Sequence, residues 1–327
     1  MVKHVWQGTS GREIPADAIE STWTAADGLP IRRIDWRRGQ GAPRGSILFL
    51  PGRGDFYEKY LETFDYWASK DWRVTASDWR GQAGSAGPEP RSNVGDIADF
   101  SVWVDDLAHL YQIWRAATPG PHVVIGHSMG GHLVLRALAE GRIDPVATVL
   151  SAPMLGFATI LPRWMQRRYA AIMNRMGDPA RPAWKASEKP GAREAARTNL
   201  LTHDETRYAD EQWWRAQRPW LALGPASWRW LKKASESFDR LDTPGLLEAV
   251  KSPVLLVATR HDALVSWPAI ACAARRLPQA RLVAWGREGR HELLRESDAV
   301  RDLVLATIDE FLEREAPAPR GSAAPAA

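Results

Sequence analysis

Cysteine is nearly absent: Cys272 stands alone among 327 residues. It cannot close an intramolecular disulfide, so nothing in the chain asks for an oxidising compartment. No apolar run approaches the roughly 20 residues that span a bilayer. The opening Met1-Val-Lys-His-Val-Trp-Gln-Gly8 lacks the uninterrupted apolar stretch of a signal peptide. A soluble, cytoplasmic protein is the expectation. Internal repeats are missing too. The one low-complexity segment, residues 316–327, is rich in Ala and Pro, has little to bury and is expected to be disordered.

What is present is an ordinary globular composition, 45% hydrophobic and 25% charged, enough for one large domain or two modest ones. Two features are less ordinary. Tryptophan (17) outnumbers tyrosine (6) and phenylalanine (7) together, and the net charge is +4. A basic balance fits nucleic acid, an anionic membrane surface or merely an arginine-rich exterior, so its location matters more than its total.

Near the start, Ser21–Thr24 and Ile31–Trp36 flank Asp27-Gly28, a turn pair that predicts a β-hairpin. Short apolar runs then alternate with helical segments. Strands are expected at Ser46–Leu50, Arg73–Ser77, His122–Gly126 and Ala147–Leu150. Helices are expected at Tyr57–Lys70, Val94–Ala116 and Met129–Glu140. The alternation breaks at Pro153 and resumes with a strand at Val254–Ala258, a helix at Trp267–Leu277, a strand at Arg281–Trp285 and a closing helix at Asp298–Arg314. Continuous apolar strands between helices imply an α/β fold with a mostly parallel sheet covered on both faces. Residues 1–152 and 236–315 then form two parts of one core, and residues 153–235 a helical insertion. That insertion holds 15 Lys/Arg against 7 Asp/Glu, a net +8, leaving the rest of the chain at −4.

Gly126-His127-Ser128-Met129-Gly130 falls between an expected strand and an expected helix. G-x-S-x-G alone is weak, since any Gly/Ser-rich turn satisfies it. At a strand-to-helix elbow, however, the serine sits on a strained turn with its hydroxyl exposed, and the helix N-terminus offers N–H groups to a developing oxyanion. A serine nucleophile needs a base and the base needs an orienting acid; in such sheets they follow in the order Ser, acid, His. Asp262 lies just past the strand Val254–Ala258. Of eight histidines, His291 alone combines the right order with a loop after the last strand. Asp239 and Asp242 precede the strand and read better as helix caps. The N–H of Met129 is one expected oxyanion donor. The N–H of Arg53, in the glycine-rich turn Pro51-Gly52-Arg53-Gly54-Asp55, is the second.

These segments resemble the α/β-hydrolase family, and within it the bacterial lysophospholipase and monoacylglycerol-lipase group. The likeness runs from Ser21 to about Leu312. It rests on Gly52-Arg-Gly-Asp-Phe-Tyr-Glu-Lys-Tyr60, Asp78-Trp-Arg-Gly-Gln-Ala-Gly-Ser85, Gly126-His-Ser-Met-Gly-Gly131, Ser151-Ala-Pro-Met154 and Arg290-His-Glu292. In lipases of this family the oxyanion turn often reads His-Gly; here it reads Pro51-Gly52. The resemblance implies a helical cap over the site, made by the insertion, and hydrolysis of single-chain acyl glycerolipids without metal or organic cofactor. It also implies that Asp78–Ser85 is a structural turn near the sheet edge.

Within the insertion, Met165, Tyr169, Ile172, Met173 and Met176 share one helical face, with Arg163, Arg167 and Asn174 opposite. That face packs on the sheet, lines an acyl-chain groove, or rests on a lipid surface with its arginines near phosphates. Trp213, Trp214, Trp220, Trp228 and Trp230 are too closely spaced to share one face, so some must be exposed or line a cavity. No nucleic-acid module accompanies the charge, so nucleic acid is not expected. A metal is not expected either: the second His of an H-E-x-x-H motif is replaced by Arg295. The expected reaction is ester hydrolysis of a lipid-like substrate, with peripheral contact at the inner face of a membrane. The rivals are a short-chain carboxylesterase, an aminopeptidase of the same fold, or a non-catalytic ligand receptor.

Overall fold

A computed structural model describes residues 11–39, 41–85, 93–184 and 200–319. Its central strands are apolar on both faces, and that dictates where they lie. β1 (Ala18–Thr24), β2 (Pro30–Trp36), β3 (Gly45–Leu50), β4 (Trp72–Ser77), β5 (His122–His127), β6 (Ala147–Ser151), β7 (Val254–Thr259) and β8 (Ala280–Trp285) form one sheet. Their order is β1-β2-β4-β3-β5-β6-β7-β8. β1 and β2 pair antiparallel through the expected hairpin, β2 joins β4 antiparallel, and every later pairing is parallel. The half-exposed hairpin thus takes the edge, while β3 and β5 to β7 are buried in the middle.

Alternate residues of each strand feed opposite cores. Leu48, Leu50, Val124 and Leu256 face a layer containing α2 (Phe100–Ala117), α3 (Met129–Ala139), α6 (Trp228–Leu241) and α7 (Trp267–Arg276). Ile47, Phe49, Ile125 and Val257 face α1 (Leu61–Ala68) and α8 (Asp298–Glu315). The tryptophan surplus goes largely inward: Trp36, Trp67, Trp72, Trp103 and Trp114 are all less than 2% exposed. Aromatic bulk, more than lipid or nucleic-acid contact, accounts for them. Between β6 and β7 the described chain also forms α4 (Arg163–Arg175) and α5 (Glu205–Gln217). No helix among the described residues is long and apolar enough to cross a membrane.

Several expected boundaries move. The helix expected from Val94 begins at Phe100, because Asp99 is extended and its carboxylate accepts the Ser101 N–H at 2.9 Å. Gly95 is held instead by the insertion, donating to the Pro225 carbonyl at 2.8 Å. The first turn expected of a helix at Tyr57–Lys70 is a 3-10 turn, Tyr57–Tyr60, and α1 stops at Ala68. Ser235, expected to end the insertion, lies inside α6, whose cap is Ser227 accepting the Trp230 N–H at 2.9 Å. Asp239 and Asp242 cap no helix start. They sit at the far end of α6, where Asp239 pairs with Arg167 at 2.9 Å and Asp242 with Arg163. Ala316 is fully buried beside Leu312, so disorder does not begin there; residues 320–327 of the expected tail lie outside the described residues.

One close approach aligns the site. A Cβ at Gly130 would fall 2.3 Å from the Leu50 carbonyl oxygen and 2.5 Å from that of Pro51. A Cβ at Gly126 would meet the Gly130 backbone at 2.8 Å. Only glycine lets the first turn of α3 lie against the end of β3. Gly130→Ala is therefore expected to lower stability by about 1–3 kcal/mol, read as a lower urea midpoint; an unchanged midpoint would contradict this packing.

Candidate active site

β5 ends at His127 and α3 begins at Met129, so Ser128 must turn the chain within one residue. It does so with φ of 52°, a left-handed conformation that a non-glycine residue holds only where its surroundings enforce it. The surroundings here are backbone hydrogen bonds. The Ser128 N–H donates to the Ser151 carbonyl at 2.9 Å, and the Ser128 carbonyl accepts from Met154 at 2.9 Å and His132 at 3.0 Å. The side chain makes no cap bond to its own helix, which leaves its hydroxyl to other partners.

The loops after β7 and β8 meet that hydroxyl. The Ser128 hydroxyl and His291 Nε2 are 2.9 Å apart, and His291 Nδ1 and Asp262 Oδ2 are 2.8 Å apart. The other Asp262 oxygen accepts the N–H groups of Leu264 at 2.8 Å and Val265 at 3.0 Å, fixing the carboxylate in its turn. Burial raises the Asp262 pKa, yet His291 and those two N–H donors outweigh it, and the group stays below the usual carboxylate range. For His291 burial opposes the charge, but Asp262, Glu292 and Asp55 prevail, and its pKa rises. Neighbouring His127 is pushed down to about 4, by burial first and by His291 second, so it stays neutral.

The glycine-rich turn after β3 faces the same hydroxyl; a Cβ at Gly52 would lie 3.1 Å from the Ser128 Cβ. Asp55 accepts the Gly52 N–H at 3.1 Å and Gln82 accepts the Gly54 N–H at 2.7 Å. Trp79 donates to the Pro51 carbonyl at 2.7 Å. The segment Asp78–Ser85 thus shapes this turn from behind, a support that its glycine-rich pattern does not announce. Arg53 and Met129 lie on the two backbone segments that border Ser128.

A cavity of about 350 Å³ opens over Ser128 and His291, walled by Met154, Phe157, Trp184, Leu200, Trp230 and Leu231. Larger hollows of about 410 and 540 Å³ lie elsewhere and touch neither residue. The insertion residues expected to bind substrate are not in this wall. Met165, Tyr169 and Ile172 are 39%, 55% and 53% exposed, and Met173 is half-buried outside the cavity. The reason is that α4 docks on α6 through its small residue Ala170, clamped by the Arg163–Asp242 and Arg167–Asp239 pairs. Its bulky face turns outward. Phe157 and Trp184 flank the helices rather than sit on them, so no helical period marks them.

The family model described as "Serine aminopeptidase, S33" matches residues 41–298. The chain belongs to this family. It is an α/β hydrolase. "Lysophospholipase L2" of Escherichia coli (strain K12) is 27% identical over 90% of this chain and 87% of its own length. "Monoglyceride lipase" of Rattus norvegicus is 28% identical over 40% of this chain and 41% of its own. Among solved structures, a soluble variant of monoglyceride lipase from Saccharomyces cerevisiae, in complex with a substrate analog, superposes with a TM-score of 0.73 at 16% identity. That match covers 95% of this chain and 99% of the other, and it shares the fold.

His291 can accept the Ser128 proton only when neutral, and its pKa lies above the ordinary histidine value of about 6.5. The rate at which a fluorophosphonate labels Ser128 is therefore expected to be lost as pH falls through that raised value. A rate already maximal well below pH 6 would contradict the electrostatics.

Proposed function

We propose that this hydrolase cleaves carboxylic esters of single-chain glycerolipids through Ser128, His291 and Asp262. The observation that carries the reading is the hydrogen-bonded chain from the Ser128 hydroxyl through His291 to Asp262, at the floor of an apolar cavity. Ser128 Oγ attacks the ester carbonyl while His291 Nε2 takes its proton. The carbonyl oxygen becomes an oxyanion and receives the N–H groups of Met129 and Arg53. Collapse breaks the ester bond, and His291 returns the proton to the departing alcohol. Water, deprotonated by His291, then attacks the acyl-Ser128 ester and releases the fatty acid.

The aliphatic and aromatic wall suits one acyl chain. Arg53 also borders the cavity, its guanidinium 5.3 Å from the Trp230 ring centre, which favours a phosphodiester head group over an uncharged glycerol. The similarity to lysophospholipase L2 points the same way. An aminopeptidase would need a carboxylate for the substrate's amino group. Asp55 and Glu292, the carboxylates bordering the cavity among the described residues, are both paired with Lys59.

The outward face of α4 suits a lipid surface. Ile160 (100% exposed) and Trp164 (58%) precede or join Met165, Tyr169 and Ile172, with Arg168 and Arg175 beside them. Peripheral contact there brings the cavity to aggregated substrate.

In a panel of lysophosphatidylcholine, monoacylglycerol, a short-chain ester and an aminoacyl amide, the first is expected to give the highest kcat/KM. Ser128→Ala should lower kcat by about 10⁶-fold and abolish phosphonate labelling; residual turnover near the parent rate would sink the assignment. Trp164→Glu with Ile172→Glu should weaken binding to anionic vesicles while sparing hydrolysis of a soluble ester, as checked by vesicle sedimentation and a parallel assay.

A further inference from the structure

Below the cavity floor lies a cluster of buried charge that the proposed chemistry does not use. The Lys59 side chain is 0% exposed and contacts three carboxylates: Asp55, Glu292 at 2.7 Å and Glu211 at 3.0 Å. Arg295, 3% exposed, contacts Glu292 and lies 3.2 Å from Glu211. Arg215 adds a third cation to Glu211 at 2.8 Å. Three cations therefore meet three carboxylates.

Each carboxylate belongs to a different part of the site. Asp55 accepts the Gly52 N–H at 3.1 Å and the Tyr60 hydroxyl at 2.9 Å, so it shapes the turn that borders Ser128. Glu292 follows His291 directly, and its N–H donates to the Leu201 carbonyl at 2.8 Å. Glu211 belongs to α5, in the insertion. One ammonium thus joins the oxyanion turn, the histidine loop and the insertion. Burying an ion loses its hydration, and well-packed apolar residues would serve stability at least as well. What an apolar residue cannot do is hold three acidic segments to one point.

We propose that Lys59 is a positioning residue for the Ser128 reaction, holding the Gly52–Asp55 turn and the His291–Glu292 loop in mutual register and tying both, through Glu211, to the insertion. The proposal rests on the hydrolase reading above. It predicts an electrostatic as well as a geometric effect. His291 faces Asp262, Glu292, Asp55 and His127, with Lys59, Arg295 and Glu211 behind them. Lys59 opposes the imidazolium, and its carboxylates restrain that opposition. Burial works against the charge on Lys59, yet Asp55, Glu211 and Glu292 overcome it, so the ammonium persists and its pKa is raised.

The test compares Lys59→Met, Glu211→Gln and Ser128→Ala in the full chain. Lysophosphatidylcholine and a soluble short-chain ester serve as substrates, across pH, with thermal melting by circular dichroism. Lys59→Met is expected to lower kcat by about 10²-fold with little change in KM, as for a misplaced catalytic constellation. Glu211→Gln, which keeps the Lys59 contacts to Asp55 and Glu292, should move the acid limb of kcat/KM to lower pH, because Lys59 then opposes the imidazolium more strongly. If Lys59→Met fails to fold, Glu211→Gln decides. A folded Lys59→Met with parental kcat, even with a lowered melting temperature, overturns the proposal, as does an unmoved acid limb in Glu211→Gln. Turnover by Ser128→Ala would instead defeat the hydrolase reading itself, whatever Lys59 does.

Discussion

The first turn of α3 lies against the carbonyl ends of β3, nearer than any side chain at position 126 or 130 allows. The rest of the site depends on that contact. It forces the chain to reverse at Ser128 in a left-handed conformation, lifting the hydroxyl out of the sheet. The same contact brings the Gly52–Asp55 turn beside that hydroxyl. A strained residue persists where its neighbours over-determine it, and Ser128 is tied by backbone bonds to β6 and to the segment after it. Strain and close packing here are two aspects of one constraint.

Around this rigid centre the charges are arranged by depth. Asp262 is held by backbone donors, His291 is raised toward protonation by Asp262, and His127 stays neutral in the same neighbourhood. Beneath them, Lys59 and Arg295 balance Asp55, Glu211 and Glu292, so three deep carboxylates do not act unopposed on the imidazole. The insertion takes part twice. Its flanking segments and α6 wall the cavity with Phe157, Trp184, Leu200 and Trp230, and α5 sends Glu211 into the buried cluster. Its basic and apolar outer face is a separate surface, carried mainly by α4.

Much of the fold was legible because strand burial writes itself into runs such as Ile47–Leu50 and Val254–Ala258, and a hairpin announces itself at Asp27-Gly28. That Ser128, Asp262 and His291 meet was legible because an elbow serine, an acid and a histidine follow one another in a fixed order along such a sheet. The start of α2 was not legible. Residues 94–99 are held out of the helix by Gly95, which donates to the Pro225 carbonyl, distant in sequence. Which face of α4 is covered was left open for a related reason: periodicity marks the bulky face, and docking through Ala170 with two Arg–Asp clamps covers the small one. Nothing local marks Lys59 or Glu211, because the segments that converge on them are far apart in sequence.

Local chemistry alone, then, decided the strands, the hairpin turn, the elbow and the order of Ser128, Asp262 and His291, since each depends on residues near in sequence or on the intrinsic geometry of glycine and serine. Tertiary structure decided which face of α4 is covered, which residues wall the cavity and how the buried charges balance. Those outcomes turn on distances between segments up to 233 residues apart, as between Lys59 and Glu292, and a one-dimensional pattern carries no such distances.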